Sequence, residues 1–296
     1  MTQQFTSNAQ FADRFLLFFA PEHWSSVQKF RHFMGPPYTV NRELATGTRA
    51  AEGHHTKFLV LAALANRLQA TLAEDRVQLD QAGYTPASRS REFAALTETL
   101  ICELYACLDG IRSVIFSVYK GARGVQKKST KQLFIRAHTN AYGPEVPQEV
   151  QHCLATAYTT WFPQLRRLRT ELTHGDVGSC HLDPQSGVIT YMHPNLGTAS
   201  QALVIPDIVG QVNGFAKSVF ELMETIFGYL YAQLHPIERQ LSCGLYKGRV
   251  YERYVAPGPE LSFASGRCFS KVWFEQEAGC ACPMRHRCRA YHSDKP

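Results

Sequence analysis

An arginine and a histidine lie near the end of a leucine-rich segment, LRRLRTELTHGDVG (165–178). Arg169 and His174 are five positions apart, and Gly175 follows, a residue type that commonly ends helices in the left-handed conformation. On a helix, five positions separate two side chains by about 140°, so these two cannot both face one core. The helix C-terminus favours a charged imidazole that exchanges protons near neutral pH, and a guanidinium can bind a phosphate through two parallel hydrogen bonds. The pair is therefore suited to binding a phosphate and moving a proton.

The R-x4-H pattern is by itself a weak signal. It occurs three times in the chain, at Arg49/His54, Arg169/His174 and Arg287/His292. Only the middle copy ends a strongly periodic helical segment and is followed by glycine. We interpret Arg49 and His54 as a feature of a helix surface. The simpler interpretation of Arg169 and His174, a solvated helix end with a favourable C-terminal cation, remains open.

Apolar periodicity predicts the elements that must position this pair. Seven apolar residues recur at spacings of three and four and predict a long amphipathic helix: Leu96, Leu100, Leu104, Leu108, Ile111, Ile115 and Val118. A second helix, over about 148–172, carries Pro163, which bends it or marks a later start. Between the two helices, the basic residues 120–147 are predicted to form an extended connection. Earlier helices are predicted over 9–33 and 42–79, and later a hairpin over 179–192 and a helix over 206–234.

These segments resemble the HEPN superfamily (higher eukaryotes and prokaryotes nucleotide-binding) over roughly residues 91–235. The resemblance rests on RTELTHG, on the preceding TETLICELYACLDGIRSVIFSVY and on the basic connection between them. It implies an antiparallel helical bundle that acts as a homodimer and as a metal-independent endoribonuclease, often a toxin or an effector of antiviral defence. Arg169 would then bind the scissile phosphate, His174 would assist proton transfer as the ribose 2′-hydroxyl attacks, and Glu103 would orient one of them. Thr170 departs from the Asn, Asp or His that the family commonly has there.

The charge distribution indicates where RNA would bind. The formal net charge is +6, and no acidic residue occurs between Asp109 and Glu145. Tyr119 and Phe134 lie among the cations of this stretch, a composition suited to phosphate contacts with base stacking. The alternative is a solvated basic loop. The candidate RNA-binding residues are Lys120, Arg123, Lys127, Lys128, Lys131 and Arg166.

The C-terminal region is rich in cysteine. Four of the nine cysteines lie in the last 29 residues: Cys268, Cys280, Cys282 and Cys288. Four thiolates can close a tetrahedral structural zinc site, which can hold together a segment with few apolar residues. The alternatives are reduced cysteines without a metal and, less simply, a redox switch.

Together these patterns predict a mainly α protein with three parts. They are an N-terminal helical extension (1–90), a HEPN-like helical domain (91–235) with a small β-hairpin, and a cysteine-rich irregular or β-containing appendage (236–296). The sequence motifs of phosphate-binding loops, dinucleotide folds, zinc proteases and serine hydrolases do not occur.

No segment matches a signal peptide or a membrane span, so we expect a cytoplasmic protein. Its expected partners are RNA, a second copy of the chain and a cognate antitoxin or regulatory protein. The alternative function is a non-catalytic dimerisation, binding or sensor protein with a zinc-stabilised interaction module.

Overall fold

The computed structural model describes residues 15–34, 41–173, 176–198, 201–276 and 281–293. These residues form two compact units, a helical unit within 41–226 and a second unit made of 15–34 and the described residues after 226. The segment 1–90, predicted as one N-terminal extension, is thus divided between the two units. His174 and Cys280, two of the predicted site residues, lie outside the described residues.

The chain is mainly helical with small antiparallel sheets, as the sequence predicts. Its α-helices are α1 (Ser26–Phe33), α2 (Arg42–Gln69), α3 (Leu72–Ala82), α4 (Ser88–Val118), α5 (Thr130–His138), α6 (Gln148–Thr160), α7 (Phe162–Leu172), α8 (Ile208–Ala232), α9 (Lys271–Phe274) and α10 (Arg289–His292). Its strands are β1 (Leu16–Leu17), β2 (Ser179–Leu182), β3 (Ile189–Thr198), β4 (Gln201–Ile205), β5 (Arg239–Tyr246), β6 (Arg249–Val255) and β7 (Arg267–Cys268). None of the helices described is both long enough and apolar enough to cross a lipid bilayer.

Helix α4 supplies the core of the helical unit. Five members of its predicted apolar stripe are buried, among them Leu104, Leu108 and Ile111, which are fully buried. Helices α2, α3, α5 and α7 and strand β2 all contact α4. The side chains of α4 therefore point toward several different neighbours, and its rotation about its own axis decides which neighbour each side chain meets.

Two glycines set the contact between α2 and α4. A methyl group built on Gly110 of α4 would lie 2.7 Å from the backbone nitrogen of Ala51 of α2, and one built on Gly47 of α2 would lie 2.9 Å from Cβ of Ser113. Distances this short are not tolerated between real carbon and backbone atoms, so the two helices approach closely only because both positions lack a Cβ. This close approach fixes the rotation of α4.

The region between α4 and α7 is more helical than its composition predicts. The sequence predicts an extended connection over residues 130–138, but they form α5. Ser129 caps its N-terminus, because the Ser129 hydroxyl accepts a hydrogen bond from the backbone of Gln132. The apolar residues Leu133, Phe134 and Ala137 share one face and are buried, and the Phe134 ring stacks on Phe162. The basic composition hid this short amphipathic pattern.

Pro163 marks a later helix start, one of the two outcomes that the sequence leaves open. The predicted helix over 148–172 is divided into α6 and α7 at Trp161, and Pro163 is near the first position of α7, where no hydrogen bond from its nitrogen is needed.

The predicted hairpin is confirmed, with Cys180 opposite Tyr191, and β4 adds a third strand. The predicted helices over 42–79 and 206–234 correspond to α2 with α3 and to α8.

The second unit holds the sheet β1-β5-β6-β7. Leu16 and Leu17 form β1, so residues 15–25 are not part of the α-helix that the sequence predicts there. The predicted α-helix is present only as α1. The side chain of Gln28 caps α1 by accepting a hydrogen bond from the Ser25 backbone. Strands β5 and β6 form a hairpin whose register shifts at Cys243. This sheet and the cysteines after it confirm a β-containing C-terminal region.

The glycine contact predicts a difference in stability between two glycine substitutions in helices. We expect Gly110→Ala to lower the free energy of unfolding by about 1–3 kcal/mol, because the new methyl group overlaps the α2 backbone. At Gly53 of α2, a Cβ would meet nothing within 4 Å, so Gly53→Ala should raise stability by about 0.5–1 kcal/mol. Urea unfolding followed by circular dichroism measures both, and equal stabilities of the two variants would contradict the contact.

Candidate functional site

Arg169 lies in the last turn of α7 and faces α4. Its guanidinium is 5.2 Å from the centre of the Tyr105 ring, a cation–π distance, and its side chain is half-buried. Among the described contacts of Arg169 none is with a carboxylate, whereas its neighbour Arg167 pairs with Glu171 at 2.9 Å. The positive charge of Arg169 is therefore held in place by an aromatic ring and is not neutralised by an acidic partner.

Charged side chains of both signs act on the Tyr105 phenol. Burial raises its pKa and the carboxylate of Asp109 raises it further, whereas Arg166 and Arg169 of α7 and Arg112 of α4 act in the opposite direction. Arg169 likewise counteracts the effect of burial, which raises the pKa of the Cys102 thiol. Three guanidinium groups and one carboxylate thus act on this half-buried aromatic ring.

Glu98 of α4 holds the segment that follows α7. Its Oε1 accepts hydrogen bonds from the backbone nitrogen of Gly178 at 2.9 Å and from the hydroxyl of Tyr191 at 2.7 Å. Burial raises the pKa of Tyr191, and the hydrogen bond to Glu98 raises it further, so the phenol stays protonated and donates to the carboxylate. Glu98 and Tyr105 are seven positions apart and therefore lie on one face of α4. This face thus holds both the segment after α7, through Glu98, and the guanidinium of Arg169, through Tyr105.

Glu103, the acidic residue predicted to orient Arg169 or His174, contacts a different histidine. Its Oε2 lies 2.6 Å from Nδ1 of His54 on α2. Glu103 is five positions from Glu98, and the two side chains therefore point about 140° apart around α4. The described contacts of Glu103 do not include Arg169. His54 belongs to the R-x4-H copy that was interpreted as a surface feature, and it is instead an interhelical partner of α4, while Arg49 is exposed.

A cleft of about 440 Å³ lies between α2 and α4. Lys127 pairs with Glu43 at its edge, and this lysine lowers the pKa of the Glu43 carboxyl. Thr130 donates to Asp109 on the α4 side, while Nε of Arg112 is buried and has no hydrogen-bond partner among the described residues. The cleft thus carries charges of both signs, and two of them, Glu43 and Lys127, are paired with each other.

The predicted RNA-binding residues fall into two groups. Arg166 is on α7 beside Arg169, and the other five occupy the turn after α4 and the start of α5. Of those five, Lys127 is paired with Glu43 and Arg123 donates weakly to the carbonyl of Tyr142 at 3.4 Å. Lys120, Lys128 and Lys131 are exposed. Lys127 together with Lys120 lowers the pKa of the Glu43 carboxyl, so Lys128 and Lys131 remain the clearest candidates for phosphate contacts on this segment.

Three of the four predicted zinc ligands lie in the second unit. Cys268 is in β7, and Cys282 and Cys288 are buried in the C-terminal segment. The described cysteines are free thiols. Over the ranges that the structure describes, which exclude Cys280, no group of three or more His, Cys, Asp or Glu side chains is arranged to hold a metal ion.

The structure adds site residues that sequence analysis missed. Glu98 and Tyr105 share the face of α4 with Cys102 and Asp109, and the spacing of these four positions by three and four is a signal that the sequence contains. Glu103 belongs to the motif ELYACLDG but occupies a different face of α4.

Comparison of the chain with protein-family models, with curated proteins and with solved structures finds no match.

The role of Glu98 predicts a stability loss in one variant. Glu98→Ala should lower the free energy of unfolding by about 1–3 kcal/mol, because the buried Tyr191 hydroxyl and the Gly178 amide lose their acceptor. Tyr191→Phe should cost less, and the double variant should show coupling between the two sites in a double-mutant cycle. The control is Glu92→Ala, whose exposed pairing with Arg89 should contribute less than about 1 kcal/mol. A Glu98 variant as stable as the Glu92 variant would refute the anchoring role.

Proposed function

We propose that the helical unit is a HEPN-type endoribonuclease that cleaves RNA without a catalytic metal and acts as a homodimer. The observation that carries the proposal is Arg169, a half-buried arginine at the end of α7 with a fixed position and no acidic partner among the described residues. A guanidinium of this kind is suited to a phosphate, because it is pre-oriented and its charge is available. Toxicity or a role in antiviral defence, with an antitoxin as partner, belongs to the same proposal.

The charge around Arg169 favours a polyanion as its ligand. Arg166 and Arg112 act on the pKa of the same tyrosine as Arg169, so three permanent cations act on this ring against the single carboxylate of Asp109. Tyr105 adds an aromatic surface, and basic side chains with an aromatic ring are a common combination for binding single-stranded nucleic acid. Lys128 and Lys131 extend the positive charge beyond this face.

In this proposal, Arg169 binds the scissile phosphate and stabilises the charge that develops on it. His174 accepts the proton of the ribose 2′-hydroxyl as that oxygen attacks phosphorus. The bond from phosphorus to the 5′-oxygen of the next nucleotide breaks, and that oxygen takes a proton from water. The product then ends in a cyclic 2′,3′-phosphate. The chain is held on both sides of this position, since Thr173 caps α7 through the Arg169 carbonyl and Gly178 is anchored by Glu98. Glu103 has no direct role in this arrangement, because its hydrogen bond goes to His54.

Removing either motif side chain should abolish cleavage. We expect Arg169→Ala and His174→Ala each to lower the cleavage rate by at least about 100-fold, the usual contribution of a positioned acid–base or phosphate-binding group. The matched control is Arg167→Ala, which removes an arginine two positions away that is tied to Glu171. Purified protein is incubated with cellular RNA, and expression in a bacterial host is followed by growth and RNA integrity.

Three outcomes of this assay are informative. Cleavage by the wild type and by Arg167→Ala, but not by the two motif variants, supports the proposal. Cleavage retained in both motif variants refutes it. RNA binding without cleavage by the wild type favours the non-catalytic binding or sensor protein instead.

The exposed lysines of the α5 segment should set the salt dependence of RNA binding. Replacing Lys128 and Lys131 together with alanine should weaken binding and reduce the slope of log affinity against log salt by about 1.4 for single-stranded RNA. The control is the double variant Lys57→Ala, Lys217→Ala, which removes two exposed lysines elsewhere on the helical unit. Equal slopes for the two double variants, measured by fluorescence anisotropy between low and moderate salt, would exclude these two lysines from the binding surface.

A further inference from the structure

Arg253 of β6 is a charged side chain in the interior of the second unit, with 1% of its surface exposed. Its guanidinium lies between two aromatic rings, 4.2 Å from the centre of Phe19 and 5.1 Å from the centre of Phe263. Nη1 donates hydrogen bonds to the backbone carbonyls of Phe263 and Ser265. One side of the guanidinium is thereby satisfied by neutral groups, which leave its charge uncompensated.

The other side of the guanidinium faces sulfur. Nη2 donates to Sγ of Cys243 at 2.9 Å and to Sγ of Cys288 at 3.4 Å. Because Nη2 contacts both sulfurs, the distance between the Cys243 and Cys288 sulfurs cannot exceed the sum of these two distances. The two thiols are therefore neighbours. Among the described residues, no carboxylate contacts Arg253, and its Nε has no acceptor.

Two more cysteines lie in the same neighbourhood. Cys268 is directly opposite Arg253 in the pairing of β6 with β7, so the two side chains project from the same face of the sheet. Cys282 is buried in one cluster with Cys243 and Cys288. Four thiols from β5, β7 and the C-terminal segment therefore gather around one buried arginine.

The buried charge indicates what these sulfurs do. An arginine remains protonated in proteins, and a buried cation is costly unless an anion lies beside it. Four neutral thiols supply no such anion. Four thiolates on a divalent metal carry a net double negative charge, and they accept hydrogen bonds from groups outside the coordination shell.

We propose that Cys243, Cys268, Cys282 and Cys288 bind a metal through four thiolates, with Arg253 as the hydrogen-bond donor to two of the sulfurs. The ligand chemistry is that of a thiophilic metal, and both a zinc ion and an iron–sulfur cluster take four thiolates. Because no described group is already arranged to hold a metal ion, the sulfurs move together on binding. The metal then joins the β5-β6 hairpin to the C-terminal segment and stabilises a unit with a small core.

This ligand set differs from the one that the sequence predicts. Cys243 replaces Cys280, because a register shift in the β5-β6 hairpin brings the Cys243 sulfur to Arg253. Cys280 lies outside the described residues. The predicted and the proposed ligand sets differ only in Cys280 and Cys243, so substituting each of these two cysteines in turn distinguishes the sets. The proposal is independent of the proposed RNA cleavage, because its test measures metal and not activity.

The experiment compares the full chain with Cys243→Ser and Cys280→Ser, all purified without oxygen. Elemental analysis and acid-labile sulfide distinguish zinc from an iron–sulfur cluster, and X-ray absorption counts the sulfur atoms around the metal. We expect one metal centre per chain with four cysteine sulfurs in the wild type and in Cys280→Ser, and at least a tenfold lower metal content in Cys243→Ser. Cys180→Ser, which alters a buried thiol of the helical unit, serves as the control for loss of a buried cysteine.

The result does not depend on whether Cys243→Ser folds. A wild-type protein with less than about a tenth of a metal per chain would overturn the proposal. Loss of one sulfur ligand or of the metal in Cys280→Ser would also overturn it, and would restore the ligand set predicted from the sequence. Retention of the metal and of all four sulfurs in Cys243→Ser would exclude Cys243 as a ligand.

Discussion

The close approach of α2 to α4 is the constraint on which the helical unit depends. Gly110 leaves room for the Ala51 backbone, and Gly47 leaves room for Ser113, so the two helices meet at a distance that any larger side chain would prevent. A contact of this kind fixes both the separation of two helices and their rotation. Once α4 cannot rotate, every side chain along it is assigned to a neighbour, and Glu103 is directed to His54 of α2.

The opposite face of α4 thereby becomes available to α7. Tyr105 supports the guanidinium of Arg169, and Glu98 anchors the chain that follows α7 through the Gly178 amide. The two contacts do different work. The aromatic ring holds the cation of Arg169 without neutralising it, and the carboxylate of Glu98 accepts hydrogen bonds from two uncharged donors. Arg169 thereby keeps the charge that a phosphate-binding site requires.

The second unit is organised around a charge in its interior rather than around a helix contact. Arg253 is satisfied by aromatic faces and carbonyl groups on one side and directed at sulfur on the other. A buried cation is retained in a small core only where something compensates it. The same unit brings together four cysteines from segments distant in sequence. The protonation and ligand state of these thiols therefore decides whether the charge of Arg253 is compensated.

The sequence by itself determined the helical character, the long apolar face of α4 and the hairpin, because apolar periodicity acts within one element. It left open whether Pro163 bends the second helix or marks a later start, and the structure decided for the later start. The sequence also singled out Arg169 as an arginine with an unusual setting. The α5 helix was missed because basic residues obscured three apolar ones. Only the tertiary structure decided that Glu103 faces His54, that Glu98 anchors the chain after α7, and that Cys243 joins Cys288 at Arg253. These contacts depend on the rotation of a helix and on a register shift in a hairpin, and both are set by packing between segments far apart in the chain.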